Sequence, residues 1–287
     1  MIKAASLFES YNMAVEKGYN CIFDNNENID ILNLNDKELF KLVEKDVKAW
    51  ESTQMSDLGG ITPAEFFGSI EDTETLMDLF KTGAVMCNYD LPSSLLDRLK
   101  AFREEIYEEL LSYASNKNSI THDVDFLISL MSIRVLGQWS ENRAIEPLMK
   151  FFINEMHEYD VNYDIVAEEL ADCFVNMGVP AVEPLLKALE SHDNIDSNLE
   201  YLLKALSDIG KANKSDSIFY CLKNAFRKMD NKTLAALLIK NYGDSRAIPL
   251  LRGYLEKNVG SIDNETFYEI KHVVESLGGN IGDLNQF

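Results

Sequence analysis

The 287-residue sequence predicts an all-α protein, and three observations support this fold class. Along much of the chain, apolar residues recur at intervals of three and four, which is the spacing of an amphipathic helix. Apolar and polar residues do not alternate with period two over several residues, so we expect little or no β-sheet. In the second half, glycines that follow an apolar residue recur at intervals of 41, 32, 33 and 35 residues. A period of this length indicates a repeated supersecondary unit.

Residues 1–120 are expected to form an irregular helical region, which is either a cap for the repeats or a pair of diverged repeats. A first helix is predicted from about Ala4 to Lys17. Residues 24–36 are loop-like, and Asp36 is a suitable N-cap for the helix that follows them.

Turn and cap signals divide the rest of this region. Gly59-Gly60 breaks the chain. The run Thr62-Pro63-Ala64-Glu65 predicts a capping box with Pro at the first helical position, where a missing N–H costs little. Two further helices are expected from Thr73 to Cys87 and from Leu91 to Ser115. The second of these carries many charged residues, which predicts one solvated face.

Residues 121–287 are predicted to contain about four to five units of helix, Gly turn and helix. A glycine just beyond the last apolar position fits a left-handed C-cap, where a Cβ would be unfavourable. The second helix of each unit begins with a small residue followed by a β-branched one. The apolar–Gly pairs are Leu136-Gly137, Met177-Gly178, Ile209-Gly210, Tyr242-Gly243 and Leu277-Gly278, and the small residues are at 144, 181, 217 and 247.

The segments SENRAIEPLM, GVPAVEPLLKALE and GDSRAIPLLRGYLE show this pattern most clearly. They resemble HEAT repeats of the phycobilisome-lyase-like type, over roughly residues 121–280. The resemblance implies an α–α superhelix, a HEAT-type solenoid in which stacked helix pairs share one core. The third copy departs from the pattern, with Phe219-Tyr220 where two others carry Glu-Pro, and the fifth shows only a first helix. The family does not imply a particular function.

The charge of the chain points to a basic partner. There are 48 acidic and 27 basic residues, a formal net charge of −21, and both halves are acidic. Nucleic-acid affinity comes mainly from Lys and Arg that neutralise phosphates, so we expect no nucleic-acid partner. An acidic surface instead attracts a cationic protein or peptide.

Other sequence features suggest a soluble cytoplasmic protein without a cofactor. No apolar run approaches the roughly 20 residues that span a bilayer, and the N-terminus lacks a signal-peptide core, so no membrane partner is expected. The four cysteines form no C-x-x-C and are expected to be buried thiols. No zinc, calcium or nucleophile motif is complete, so we expect no metal and no catalytic residue.

The partner-binding surface is expected on the second helices, which usually line the concave side of HEAT arrays. We predict that it contains Glu146, Lys150, Glu183, Lys187, Phe219, Lys223 and Phe226. Two interpretations of Phe219 and Phe226 stay open. They are either exposed aromatic anchors of an interface or core rings of a rotated third repeat.

The sequence therefore favours a non-enzymatic scaffold that binds a protein or peptide, a basic one, along the concave face of an acidic HEAT solenoid. Two other hypotheses remain. One is an enzyme of the lyase or hydrolase type on the same scaffold, and the other is an acidic mimic of nucleic acid.

Overall fold

A computed structural model of the protein describes residues 4–25, 36–88, 90–117, 123–156, 161–192, 195–282 and 284. Every regular element in these ranges is a helix, and they contain no strand, which confirms the predicted all-α class. The chain divides into two compact units, residues 1–135 and 136–287. The predicted boundary at 120/121 lies outside the described residues.

The helices of the first unit range from 6 to 22 residues in length. They are α1 (Ala4–Asn25), α2 (Asp36–Glu51), α3 (Pro63–Gly68), α4 (Thr73–Met86), α5 (Ser93–Ala101), α6 (Arg103–Ala114) and α7 (Asp123–Gln138), the last of which contains the division between the units. The helix predicted from Ala4 to Lys17 thus continues to Asn25, into the predicted loop. Residues 26–35 lie outside the described residues.

Two other helix predictions for this unit are confirmed. Thr62 accepts a hydrogen bond from Glu65 N at 3.1 Å, while Glu65 Oε2 accepts one from Thr62 N at 2.9 Å, so the capping box forms. The helix predicted from Thr73 to Cys87 begins at Thr73 and ends one residue early, at Met86.

The single helix predicted from Leu91 to Ser115 is wrong, because two helices meet at Phe102. Its φ of −106° and ψ of 17° leave the helical region. The guanidinium of Arg98 lies over the Phe102 ring at 4.7 Å, and Arg98 Nε donates to Ile70 O at 2.7 Å. The bond from Arg98 to Ile70 joins residues 28 positions apart, so the pattern of helix-forming residues on either side of Phe102 does not reveal it.

Polar contacts tie the core of the first unit together. Tyr11 Oη donates to Asp90 O at 2.7 Å, and Trp50 Nε1 donates to Ser10 Oγ at 3.0 Å. The buried Glu51 carboxylate accepts a hydrogen bond from Ser94 N at 2.7 Å and so caps the start of α5. A buried carboxylate of this kind is tolerated because hydrogen bonds compensate its lost hydration.

The second unit contains two rows of helices with a core between them. The A row comprises α9 (Tyr163–Met177), α11 (Ser197–Ala212), α13 (Lys232–Tyr242) and α15 (Asn264–Ser276). The B row comprises α8 (Ile145–Asn154), α10 (Val179–Glu190), α12 (Asp216–Lys228) and α14 (Ile248–Asn258). Neighbouring A-row helices contact each other in order, as do α8, α10 and α12, and Phe226 of α12 touches Tyr254 of α14. Each B-row helix also contacts the A-row helix that follows it.

The recurrent glycines serve two different purposes. Gly243 ends α13 with φ 72° and ψ 50°, which confirms the predicted left-handed C-cap. Gly178 ends α9 with a positive φ of 71°, but its ψ of −138° lies outside the left-handed helical region. Gly278, just beyond the end of α15, also has a positive φ, of 89°. The prediction is wrong for Gly137 and Gly210, which lie inside α7 and α11. There the reason for glycine is close packing, since a Cβ at Gly137 would lie 3.0 Å from Cys173 Cα.

The chain after α15 folds back on the second unit. Ile281 is buried, and Arg252 Nη1 donates to Asn280 O at 2.6 Å. A Cβ at Gly279 would lie 2.6 Å from Val274 Cγ1, which shows how tightly this segment packs. It therefore covers part of the apolar surface that α14 and α15 would otherwise expose.

Candidate partner-binding surface

Most of the predicted site residues lie on the outer side of the B row. Glu146 and Lys150 of α8 and Glu183 and Lys187 of α10 are exposed, and Lys223 of α12 is half-buried. In both α8 and α10 the Glu lies two residues after a buried Ala and the Lys lies six residues after the same Ala. Adjacent helices of the B row therefore present a Glu and a Lys at equivalent positions.

The interpretation of Phe219 and Phe226 as exposed anchors is wrong. Their exposed fractions are 5% and 2%, so both rings belong to the core. Arg246 Cζ lies 4.2 Å from the Phe219 ring centroid, and Tyr254 meets the Phe226 ring at 5.3 Å. Neither ring is accessible to a partner.

A shift of one residue in the third repeat explains this burial. In α10 the buried stripe contains Ala181, Leu185, Ala188 and Leu189. In α12 the corresponding stripe is Ile218, Leu222, Ala225 and Phe226, so Ile218 rather than Ser217 is equivalent to Ala181. Phe219 then matches Val182, which is also largely enclosed.

On the B row, Tyr220 is an exposed aromatic residue that sequence reasoning missed. With the corrected register it occupies the position of Glu183, and 54% of it is exposed. The signal that would have found it is the spacing of the large apolar residues, since the small residue at 217 suggested the wrong alignment. Tyr220 borders a groove of about 150 Å³ between α12 and the end of α10, lined also by Leu189, Ile195, Asn224 and Lys228.

Three of the four cysteines have the properties of inert thiols. Burial raises the pKa of Cys221, beside this groove, to about 12, and burial likewise raises the pKa of Cys87 to about 12. Burial raises the pKa of Cys173 as well. The thiolate is the reactive form, and these shifts leave very little of it at neutral pH. The predicted burial is confirmed in full only for Cys173. Cys87 and Cys221 are half-buried, and Cys21 is exposed.

The two rows differ in charge. The A-row helices α9, α11, α13 and α15 carry nine acidic and five basic side chains, an excess of four negative charges. The B-row helices α8, α10, α12 and α14 carry five acidic and seven basic side chains, an excess of two positive charges. The acidity of these helices therefore lies on the A row, whereas the predicted binding residues lie on the B row.

Polar contacts between α9 and α11 order the outer side of the A row. Lys204 Nζ lies 2.9 Å from Glu168 Oε1, and Tyr201 Oη donates to Asp164 Oδ1 at 2.9 Å. Burial opposes the charge of Lys204, but the hydrogen bond and attraction to Glu168 outweigh it and raise the Lys204 pKa. The carboxylates of Asp172 and Asp208 act in the same direction.

Within the described ranges, no group of three or more His, Cys, Asp and Glu residues is arranged to hold a metal ion. Among the helices that the structure describes, none is long and apolar enough to cross a bilayer.

No family model matches the chain, and neither the curated proteins nor the solved structures contain a significant match. The HEAT resemblance therefore stays a prediction.

Proposed function

We propose that the protein is a non-enzymatic scaffold whose second unit is a HEAT-type α-solenoid, and that it binds a basic protein or peptide. One observation carries the proposal: the helices α8–α15 form two contacting rows with their large apolar side chains between them. Stacked pairs of this kind bury their apolar faces against each other and leave long polar faces available for docking.

The basic nature of the partner is argued from charge. The chain has an excess of 21 negative charges, which are distributed over both units. A field of this sign accelerates the approach of a cationic partner and disfavours an anionic one. Exposed charges are screened over about 10 Å at 0.1 M salt, so complexes formed mainly through them weaken as salt rises.

The test is capture of partners on the immobilised full-length protein, followed by reconstitution. We expect a defined basic protein to bind at about 100 mM salt, to elute at about 500 mM, and to form a stoichiometric complex when both components are purified. An unrelated acidic protein of equal net charge is the control for non-specific attraction. Retention of the same proteins by both would contradict the proposal, as would a reconstituted complex that salt does not weaken.

A further inference from the structure

We infer that the basic partner docks on the outer side of the A row, around Asp172, Lys204 and Leu237, rather than on the B row. The occupant that fits this surface is a segment in which a bulky apolar side chain has lysines or arginines on either side. The inference rests on the proposed function and specifies its binding face and the chemistry of its partner.

Helix spacing is the first argument. Between α11 and α13 of the A row, Ser207 Oγ donates to Leu238 O at 2.8 Å, so a short side chain reaches the backbone of the next helix. Gly210 allows the Tyr242 ring to pack directly against α11. Between α10 and α12 of the B row, by contrast, the groove beside Tyr220 remains. When stacked helix pairs curve, the row with the closer spacing lies on the inner side, so these contacts favour the A row as the concave face.

Position within the repeats is the second argument. The glycines 178, 210 and 243 are 32 and 33 residues apart, and the same intervals relate Asp172, Lys204 and Leu237. These three residues therefore occupy equivalent places on α9, α11 and α13. Leu237 is 38% exposed, although it is a large apolar residue on a helix that packs on both sides.

Charge is the third argument. Lys204 is paired with Glu168, while α9 adds Asp164, Glu169 and Asp172 without a basic residue of its own. Beyond Leu237, α15 carries Glu265, Glu269 and Glu275. Leu237 on α13 therefore has the acidic α15 on one side. On its other side lies α11, with two acidic and two basic side chains, and beyond it the acidic α9. A partner that matches both features needs an apolar residue with basic ones on either side.

The electrostatics at Glu200 agree with this assignment. Glu200 lies on α11, beside Tyr201, and is partly enclosed. Burial and the neighbouring Asp196 carboxylate raise the Glu200 pKa, because both disfavour its negative charge. A lysine or arginine brought to this face would relieve that repulsion.

The experiment uses the full-length protein and two synthetic peptides of about 20 residues, a length that spans several helix turns. One peptide combines Lys with Leu at helical spacing, and the other replaces each Leu with Ser. Binding is measured by fluorescence anisotropy for an A-row variant, Glu168→Gln/Asp172→Asn/Glu200→Gln. The matched control, Glu146→Gln/Glu183→Gln/Glu190→Gln, removes the same charge from the B row. Circular dichroism verifies that both variants fold.

We expect the A-row variant to bind the Lys/Leu peptide about tenfold more weakly and the B-row variant to change affinity less than about twofold. Leu237→Ser should weaken the Lys/Leu peptide but leave the Lys/Ser peptide unchanged. Amide hydrogen exchange should show protection on α11 and α13.

The outcomes separate this inference from the proposed function. Equal weakening by both triple variants, or protection confined to α10 and α12, overturns the A-row assignment while basic-partner binding stands. If Leu237→Ser binds the Lys/Leu peptide as tightly as the wild-type protein does, the inference that the partner contributes an apolar side chain is overturned. If neither peptide binds the wild-type protein at about 50 mM salt, the basic-partner proposal itself fails.

Discussion

Gly210 allows close packing in the second unit because it has no side chain. A Cβ at this position would lie 2.8 Å from Tyr242 Cδ2 and 3.0 Å from Ile218 Cγ2. The Tyr242 ring is fixed in turn, because its hydroxyl donates to Ser215 O at 2.8 Å. The ring therefore has little freedom to move away from an added methyl group.

We expect Gly210→Ala to destabilise the protein by about 1–3 kcal/mol, because the added methyl group overpacks a filled interface. Gly253→Ala is the matched control. Gly253 lies on the exposed side of α14, and a Cβ there meets no atom within 4 Å. Alanine at that site should stabilise by about 0.4–1 kcal/mol through the unfolded state. Urea unfolding midpoints of both variants check the prediction, and a stabilised Gly210→Ala would contradict it.

The role of single residues in the candidate site depends on contacts that are distant in sequence. Phe219 and Phe226 are core residues because Arg246 and Tyr254 approach them from elements 27 or more residues further along the chain. Tyr220 is exposed because the stripe of α12 is shifted by one residue. Sequence reasoning stated the rotated repeat as an alternative. The spacing of the large apolar residues in α12 favours it, but the small residue at 217 suggested the other alignment.

Several helices begin at a residue whose side chain caps the first turn. Asp263 Oδ1 accepts a hydrogen bond from Thr266 N at 2.8 Å at the start of α15. This backbone N–H, with the Thr266 side chain, stabilises the ionised carboxylate and lowers the Asp263 pKa below its ordinary value. Asn231 Oδ1 makes the equivalent bond to Leu234 N at 3.0 Å at the start of α13, without a charge.

These two caps predict different pH dependence. A lowered pKa in the folded protein means that the charged Asp263 cap stabilises fully above about pH 4, and that this contribution is lost as the pH falls through the folded pKa. The stability difference between wild type and Asp263→Ala should therefore shrink on acidification. The difference for Asn231→Ala should stay constant. Urea midpoints between about pH 3 and 7 measure both, and parallel behaviour of the two variants would contradict the prediction.

Helix class and helix ends were predictable where the determinants are local. The capping box at Thr62 and the turns at Gly178 and Gly243 follow from a few adjacent residues, and the structure contains all three. The break at Phe102 and the packing role of Gly210 were missed. Beside the break, Arg98 bonds to Ile70 O, 28 residues away, and Gly210 packs against Tyr242 of another helix. Local patterns identify amphipathic helices, but tertiary contacts decide where they bend and how closely they approach.

The candidate surface was predictable only in part for the same reason. The exposure of Glu146, Lys150, Glu183 and Lys187 follows from helical periodicity. The difference in charge between the two rows is also present in the sequence, once each helix is assigned to its row. The spacing of the helices within each row cannot be read from the sequence, because it depends on long-range contacts such as the bond from Ser207 to Leu238.

For the molecule as a whole, the excess of 21 negative charges opposes the folded state, because folding brings like charges together. The ion pairs do not offset this. Those of Lys204 with Glu168 and of Arg246 with Asp216 join largely exposed groups, and such pairs contribute only about 0–1 kcal/mol each and are themselves screened. Net repulsion should therefore dominate the effect of salt on stability.

Raising NaCl from about 20 to about 300 mM at neutral pH shortens the screening length severalfold. We expect stabilisation on the order of 1 kcal/mol, which corresponds to a rise of about 2–4 °C in the thermal midpoint for units of this size. The sequence pI is about 4.5, and near that pH the net charge approaches zero, so the salt effect should disappear there. Thermal unfolding followed by circular dichroism at both pH values measures this. If the midpoint falls with salt at neutral pH, attractive pairs such as Lys204 with Glu168 outweigh the net repulsion. If the midpoint rises equally at both pH values, the stabilisation comes from salt effects other than screening.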